Sequence, residues 1–349
     1  MALIEMVLQA QQYIPGIPQG PEAAMETACR NDKITVDSWH KIWVDQTRAN
    51  SRHGFSENSA MQEFGKCAYQ PVIVAGSGPS LKKNWHVMRG DDTQAGRKGL
   101  KIVSALHNFG FFEDRDVMGP DDYYVTLDAG DITMSEVTEG GTKHPDEWYW
   151  ERTKDRTLVA YVGAWPPLID KWQGRIIWFM TPFANEALKN DMMDLVLTGE
   201  VPCLSVGGNV LGACWYFART ILGGSVPIFI GADFSFGYDR KFHAWESQYD
   251  SKFAGVMPWT DIYGNRVWTW PSYFGFKNWF DYMAVGGAGG NAQMMINATE
   301  GGIMGAYPDG NIQQIIQLDL KTALALFTQW TKVPELLAKS KDGLIHLLM

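Results

Sequence analysis

Val72-Ile73-Val74-Ala75-Gly76-Ser77-Gly78-Pro79-Ser80-Leu81 is an unbroken apolar run that passes through two glycines into the start of a helix. A continuous β-branched run of this length is the pattern of a strand buried on both faces, as in a parallel sheet. Glycine allows close approach of the backbone to another group. Pro79 suits a first helical turn, where its missing N–H costs nothing. The free N–H groups of such a turn, with the helix dipole behind them, favour an anion. Gly76, Ser77, Gly78, Pro79 and Ser80 are therefore candidate phosphate-binding residues. A side chain at Gly78 is expected to occupy the anion's space and leave the fold intact. The spacing lacks the third glycine of the dinucleotide fingerprint and the Gly-Lys-Ser/Thr of a Walker loop. A tight strand-to-helix turn without a ligand would use the same residues.

Outward from this loop the same alternation repeats. Further apolar runs stand at 102–105, 123–127, 158–162, 176–179 and 228–230, with a weaker one at 294–296. A helix fits from Ser205 to Leu222, ended by Gly223-Gly224. Strands separated by helical crossovers predict an α/β fold: a Rossmann-like, mainly parallel sheet with helices on both faces. Residues 234–290, rich in Trp, Tyr, Phe and Gly, read as long loops with some strand. Before Pro71 the chain reads as helical, at Met1–Ile14 and Ser38–Arg48, and after residue 310 it reads as helical again, including Ile312 to Trp330. The expected organisation is an N-terminal helical extension at 1–68, a core domain at 69–335 and a helical tail at 336–349.

Composition narrows the function. The net charge of −9 argues against a nucleic-acid groove, which needs concentrated Lys and Arg. The four cysteines, Cys29, Cys67, Cys203 and Cys214, have neither metal-ligand spacing nor the density of a disulfide framework. No signal peptide and no apolar stretch of about 20 residues is seen, so a cytoplasmic chain without a membrane span is expected.

Other candidates sit where strands should end, the usual place for ligands in open α/β sheets. Asp128 and Asp131 follow the third run and suit a metal, a ribose or a turn. Asn108 follows the second and suits a phosphate or a turn. Gly207, Gly208 and Asn209 open the central helix, as a nucleotide contact or a close-packing site. Asp233 ends the 228–230 strand. His243, ten residues on, is a candidate general base or a structural aromatic-loop histidine. Glu300, in Asn297-Ala298-Thr299-Glu300-Gly301-Gly302, suits an acid–base role or a cap of the next segment.

Ala75-Gly76-Ser77-Gly78-Pro79-Ser80-Leu81, Thr126-Leu127-Asp128, the block from Gly208 to Phe234 ending Ile230-Gly231-Ala232-Asp233-Phe234, and Asn297 to Gly302 occur in one order. Together they resemble the motility accessory factor proteins, whose core domain is shared with the archaeal 6-hydroxymethylpterin diphosphokinases (MptE-like). The region is also similar to bacterial sialyltransferases that use CMP-sialic acid. The resemblance implies that Gly76 to Ser80 and Asn108 meet the donor phosphate, with Gly207, Gly208 and Asn209 near the nucleoside. It departs at Ser235, where those sialyltransferases carry a tyrosine, and at His243, which lies nearer to Asp233 than their catalytic histidine does. Three functions are therefore expected to compete. One is glycosyl transfer from a nucleotide-activated acidic sugar, with a protein hydroxyl as one acceptor and Asp233, His243 and Glu300 as acid–base groups. Another is pyrophosphoryl transfer from ATP, with Mg²⁺ on Asp128 and Asp131 as the cofactor. The third is a non-catalytic binding module.

Overall fold

The computed structural model describes residues 20–90, 96–97, 99–182, 185–192, 195–196, 200–251, 253–286 and 292–327. In chain order, α1 (Gly20–Asn50) precedes β1 (Val72–Ala75), α2 (Leu81–Arg89), β2 (Ile102–Ala105), α3 (Phe109–Glu113) and β3 (Tyr123–Thr126). Then come α4 (Thr133–Glu136), α5 (Asp146–Arg152), β4 (Thr157–Tyr161), α6 (Pro166–Lys171), β5 (Arg175–Phe179), α7 (Glu186–Met192) and α8 (Val210–Tyr216). The chain continues through β6 (Pro227–Ile230), β7 (Met257–Thr260), β8 (Arg266–Thr269), α9 (Pro271–Ala284), β9 (Met295–Asn297), β10 (Ile315–Gln317) and α10 (Leu320–Phe327).

Eight strands form one sheet in the order β10-β9-β6-β1-β2-β3-β4-β5. Every pairing in it is parallel. The expected Rossmann-like α/β fold is therefore present. Strands β1 to β4 are buried along their whole length, which is why their sequences are unbroken apolar runs. From β1 the chain builds outward through β5, then returns and lays β6 on the other side of β1. That reversal opens a crevice at the carboxyl ends of β1 and β6, the usual ligand position in such sheets.

Three local expectations are corrected. The aromatic stretch at 234–290 holds the antiparallel hairpin β7–β8 and the 14-residue helix α9, not only loops. Ile315–Gln317, read as helix, is an edge strand parallel to β9, and only Leu320–Phe327 is helical within the described part of that region. The central helix starts at Val210 and finishes as a π turn, Phe217–Ile221.

The segment before residue 69 is not set apart where it is described. Val44, Phe55, Ala60 and Cys67 belong to the main hydrophobic core. Helix α1 crosses the carboxyl edge of the sheet: Gln46 donates to the Ala129 carbonyl, and Asn50 to those of Val162 and Ala164. Each carbonyl lies in a loop after β3 or β4, where no ladder partner is available to it. Met1–Ile14 and residues 336–349 lie outside the described residues. Among the described residues no helix is long and apolar enough to cross a membrane.

Behind β3, Glu113 is 2 % exposed and takes both guanidinium arms of Arg156, at 2.7 and 2.8 Å, and the Tyr124 hydroxyl at 3.0 Å. Removing one partner strands a buried charge. Glu113→Ala is expected to lower unfolding free energy by about 3–5 kcal/mol. Urea denaturation checks this, and a change near zero would show that the pair adds nothing.

Candidate functional site

A cavity of about 540 Å³ occupies the crevice at the carboxyl ends of the strands. Its floor is Gly76-Ser77-Gly78 after β1, Leu106 and His107 after β2, Thr126 at the end of β3 with Leu127-Asp128 after it, and Gly231 to Ser235 after β6. Trp39 and Trp43 of α1 and Tyr273 and Phe276 of α9 form aromatic walls. The cavity thus gathers Gly76, Ser77, Gly78, Asp128, Gly208, Asn209, Asp233 and His243 from the sequence-predicted set.

The glycine loop works differently from expectation. Gly76 N–H donates to the Ile230 carbonyl and Gly78 N–H to that of Gly231, both at 2.9 Å. Ser80 donates its N–H at 3.3 Å and its hydroxyl at 2.7 Å to the Asp233 carboxylate. These amides hold the β6 loop and do not converge on an anion. The glycines are required because the two loops nearly touch. A Cβ at Gly76 would lie 2.5 Å from the Gly231 carbonyl oxygen. One at Gly78 would lie 2.1 Å from Asp233 Oδ2 and 2.7 Å from that same carbonyl. Ser77, between them, is the residue of the loop whose place in the cavity wall suits a ligand contact. Pro79 and Ser80 line a separate cavity.

Asn108 is fully buried outside the cavity lining, and its amide donates to the carbonyls of Ala75 and Gly76 and to the Ser104 hydroxyl. It shapes the loop from outside the crevice. Asn209 caps α8, accepting from Gly212 N–H at 2.9 Å. Gly207 has φ +60°, and a Cβ there would enter the Trp279 ring. Glu300 does not line the cavity: its carboxylate accepts from Asn84 at 3.2 Å and from Leu320 N–H at 3.1 Å, capping α10. The carboxylate expected as an acid–base group is thus spent on capping and stands outside the crevice. The motif around it instead fixes Asp233. Thr299 accepts from Ala232 N–H, Ile303 N–H donates to the Asp233 carbonyl, and a Cβ on Gly302 would lie 2.4 Å from Asp233 Cα.

Asp128 accepts from Gly130 N–H at 2.8 Å, an Asx turn, and Asp131 is exposed outside the cavity lining. Among the described residues no group of three or more His, Cys, Asp or Glu is placed to hold a metal ion.

The sequence reading missed His107. Its Nε2 lies 2.7 Å from Glu139 Oε2, and its ring centroid is 4.5 Å from that of His243. Trp245 stacks on His243 and meets His107 edge-on. Burial alone would lower the His107 pKa, but the Glu139 hydrogen bond and the charges of Glu136 and Glu139 outweigh it and raise the pKa. Burial, assisted by the His107 charge, takes His243 down to about 3. The two rings are thus pushed in opposite directions, His107 toward its charged form and His243 toward its neutral one. His243, expected as general base, is a weak one at that value, because an efficient base has its pKa near the working pH. Burial lifts Asp233 to about 7 against the Ser80 hydrogen bonds, and burial also raises Glu136.

Two of these shifts act oppositely on stability. His243 titrates below its free value of 6.5, so the unfolded chain binds more protons and stability falls as pH drops through that window. Asp233 titrates above its free value of 3.8, so stability rises as pH drops from about 7. His243→Phe removes the first slope and leaves the second. Relative to wild type, the variant is expected to gain about 1.4 kcal/mol per pH unit on acidification below about pH 6. Urea denaturation at several pH values checks this, and parallel pH profiles would contradict it.

The sequence model of the family described as 6-hydroxymethylpterin diphosphokinase MptE-like matches residues 46–239. No curated protein matches the chain. Among solved structures, the chain is similar to the MAf glycosyltransferase from Magnetospirillum magneticum AMB-1, with a TM-score of 0.52 and 15% identity. The likeness covers 84% of this chain and 42% of that one, so the chain spans less than half the length of that protein. At this identity it shows the shared fold alone. The family match takes in more than half of the chain, from the end of α1 through the glycine loop, Asp128 and Asp233, and the chain belongs to the MptE-like family.

Proposed function

We propose that this chain is a glycosyltransferase whose donor is a sugar linked to a nucleoside monophosphate, seated in the crevice between the β1 and β6 loops. The CMP-linked acidic sugars are the donor class to which the sequence resemblance points. The observation that carries the reading is the charge of the cavity. Its described lining residues include no Lys or Arg, and the basic group whose charged form is favoured is His107, whose pKa Glu139 raises, beside Asp128, Glu136 and Asp233. One cation suits one phosphate. A triphosphate requires lysines, arginines or Mg²⁺ to spread its charge, and the described lining contains no Lys or Arg and no carboxylate trio for a metal. That weighs against pyrophosphoryl transfer from ATP.

The rest of the wall agrees with a nucleoside and a sugar. Trp39, Trp43, Tyr273 and Phe276 offer flat apolar faces. The Thr126 hydroxyl is buried in this wall with no partner among the described residues, and such a group is expected to meet a ligand or water. In the proposed reaction the anomeric carbon leaves the phosphate oxygen as the acceptor oxygen arrives. His107 stabilises the charge that develops on the phosphate, and Asp233 takes the acceptor proton. Calorimetric titration tests the reading: CMP is expected to bind without a metal, and more tightly than ATP with Mg²⁺. Tighter ATP binding would favour the diphosphokinase reading, and failure of both would favour a non-catalytic module.

A further inference from the structure

Asp233 and Ser235 wall a second cavity as well, of about 220 Å³, whose other lining includes Ser80, Lys83, Asp239, Asp261 and Gly301. Two tyrosines also line it, Tyr238 and Tyr263, 64% and 63% exposed. The Tyr238 ring is held in place: its hydroxyl donates to Asp261 and accepts from Asn265 at 3.0 Å. Lys82 pairs with Asp239 at 2.5 Å alongside it. Two open tyrosine faces thus stand beside a small, mainly apolar cavity that has carboxylates and a lysine among its lining. They suit a ligand with apolar C–H faces and hydroxyls, because a ring face can cover the C–H groups as Lys83 and the Asp239 carboxylate meet the hydroxyls. The volume suits one ring and not an extended peptide, which would need a groove or an open strand edge.

We propose that this second cavity is the acceptor subsite and that it takes a pyranose-sized polyhydroxyl compound, a sugar ring whose reacting hydroxyl meets Asp233. The proposal rests on the glycosyl-transfer reading above and names its second substrate class. Asp233 lines both cavities, so a donor in one and an acceptor in the other meet at its carboxylate. The acceptor oxygen forms the new bond to the anomeric carbon, and the carbon–oxygen bond to phosphate breaks. The electron pair departs on the phosphate, and the acceptor proton passes to Asp233. Ser80 is then a positioning residue, since its hydroxyl and amide fix the carboxylate.

Gly301 gives a way to close this cavity alone. A Cβ there would lie 3.7 Å from Asp233 Oδ1, 3.7 Å from Ser80 Cβ and 3.9 Å from Lys83 Nζ, all ordinary contacts, and its φ is not in the positive region. Gly301→Leu is expected to fill the space without displacing the loops. Methyl glycosides of a hexose, an N-acetylhexosamine and a uronic acid serve as probes, followed by saturation-transfer NMR, with CMP as the reporter of the main cavity. At least one glycoside is expected to bind wild type and to lose about tenfold or more in affinity in both Gly301→Leu and Tyr263→Ala, with CMP affinity held within about twofold. Glycoside binding that survives Gly301→Leu overturns the proposal, as does a serine or threonine peptide that binds there in place of the glycosides. CMP binding with no glycoside binding overturns the acceptor site alone. Wild-type protein that binds no CMP overturns the donor reading and the acceptor role with it.

Discussion

Replacing His107 with glutamine is expected to cut turnover of a CMP-linked sugar by about 10²–10⁴-fold, the range for loss of a positioned acid or charge stabiliser. The reason is electrostatic. Among the described residues lining the cavity, His107 is the basic group whose charged form is favoured, and Asp128, Glu136 and Asp233 share the space with it. Without that charge, the negative phosphate leaves into a wall that repels it. The loss should fall mainly on kcat, since the charge matters most as the bond to phosphate breaks. Glu139→Gln should act through His107 and not on the sugar. Its hydrogen bond is the largest influence raising the His107 pKa, so removing it should move the alkaline limb of the pH–rate profile to lower pH. The sign follows from the direction of the shift: activity that needs protonated His107 is lost as pH rises through its folded value, and the acid limb belongs to Asp233, which must be a carboxylate to take the acceptor proton. A His107→Gln enzyme with wild-type turnover would remove this residue from the reaction.

Gly78→Val is expected to destabilise the whole protein by roughly 3 kcal/mol or more, beyond any effect on ligands. The sequence alone suggested a substitution that blocks an anion and spares the fold. The geometry places the new Cβ 2.1 Å from Asp233 Oδ2 and 2.7 Å from the Gly231 carbonyl oxygen. The carboxylate cannot swing away freely, because Ser80 holds it. The carbonyl cannot move without opening the β1–β6 junction, because Gly78 N–H bonds to it. Thermal and urea denaturation should both show the loss, and unchanged stability would mean that the two loops are not packed as described.

That contrast shows how far the residues spoke for themselves. The buried strands were readable because a strand covered on both faces has no polar side to hide in: Val72–Ala75, Ile102–Ala105 and Pro227–Ile230 are buried at every residue. Helix α9 was not readable. Its buried positions include Lys277 and Asp281, which pair with each other at 2.5 Å inside an aromatic cage and so break the apolar stripe that marks a helix. Strand β10 is three residues long within a stretch whose apolar spacing also fits a helix.

At the site, glycines announced a close approach but not what approaches. The neighbour proved to be the β6 loop and its Asp233, which only the return of the chain past β1 brings there. His107 and Glu139 are 32 residues apart, joined by the crossover through β3, so no local spacing links them. The available signal was a histidine beside Asn108 at the end of the second strand.

In the proposed complex a nucleoside monophosphate places its phosphate against the His107 imidazole. The most direct measurement is the imidazole NMR spectrum of His107, recorded across a pH series with and without saturating CMP. CMP is expected to move the His107 resonances and to raise its pKa further, with no such change in His107→Gln protein. His107 signals and titration that stay the same at saturation, or shifts confined to residues outside the β1–β6 crevice, would contradict it.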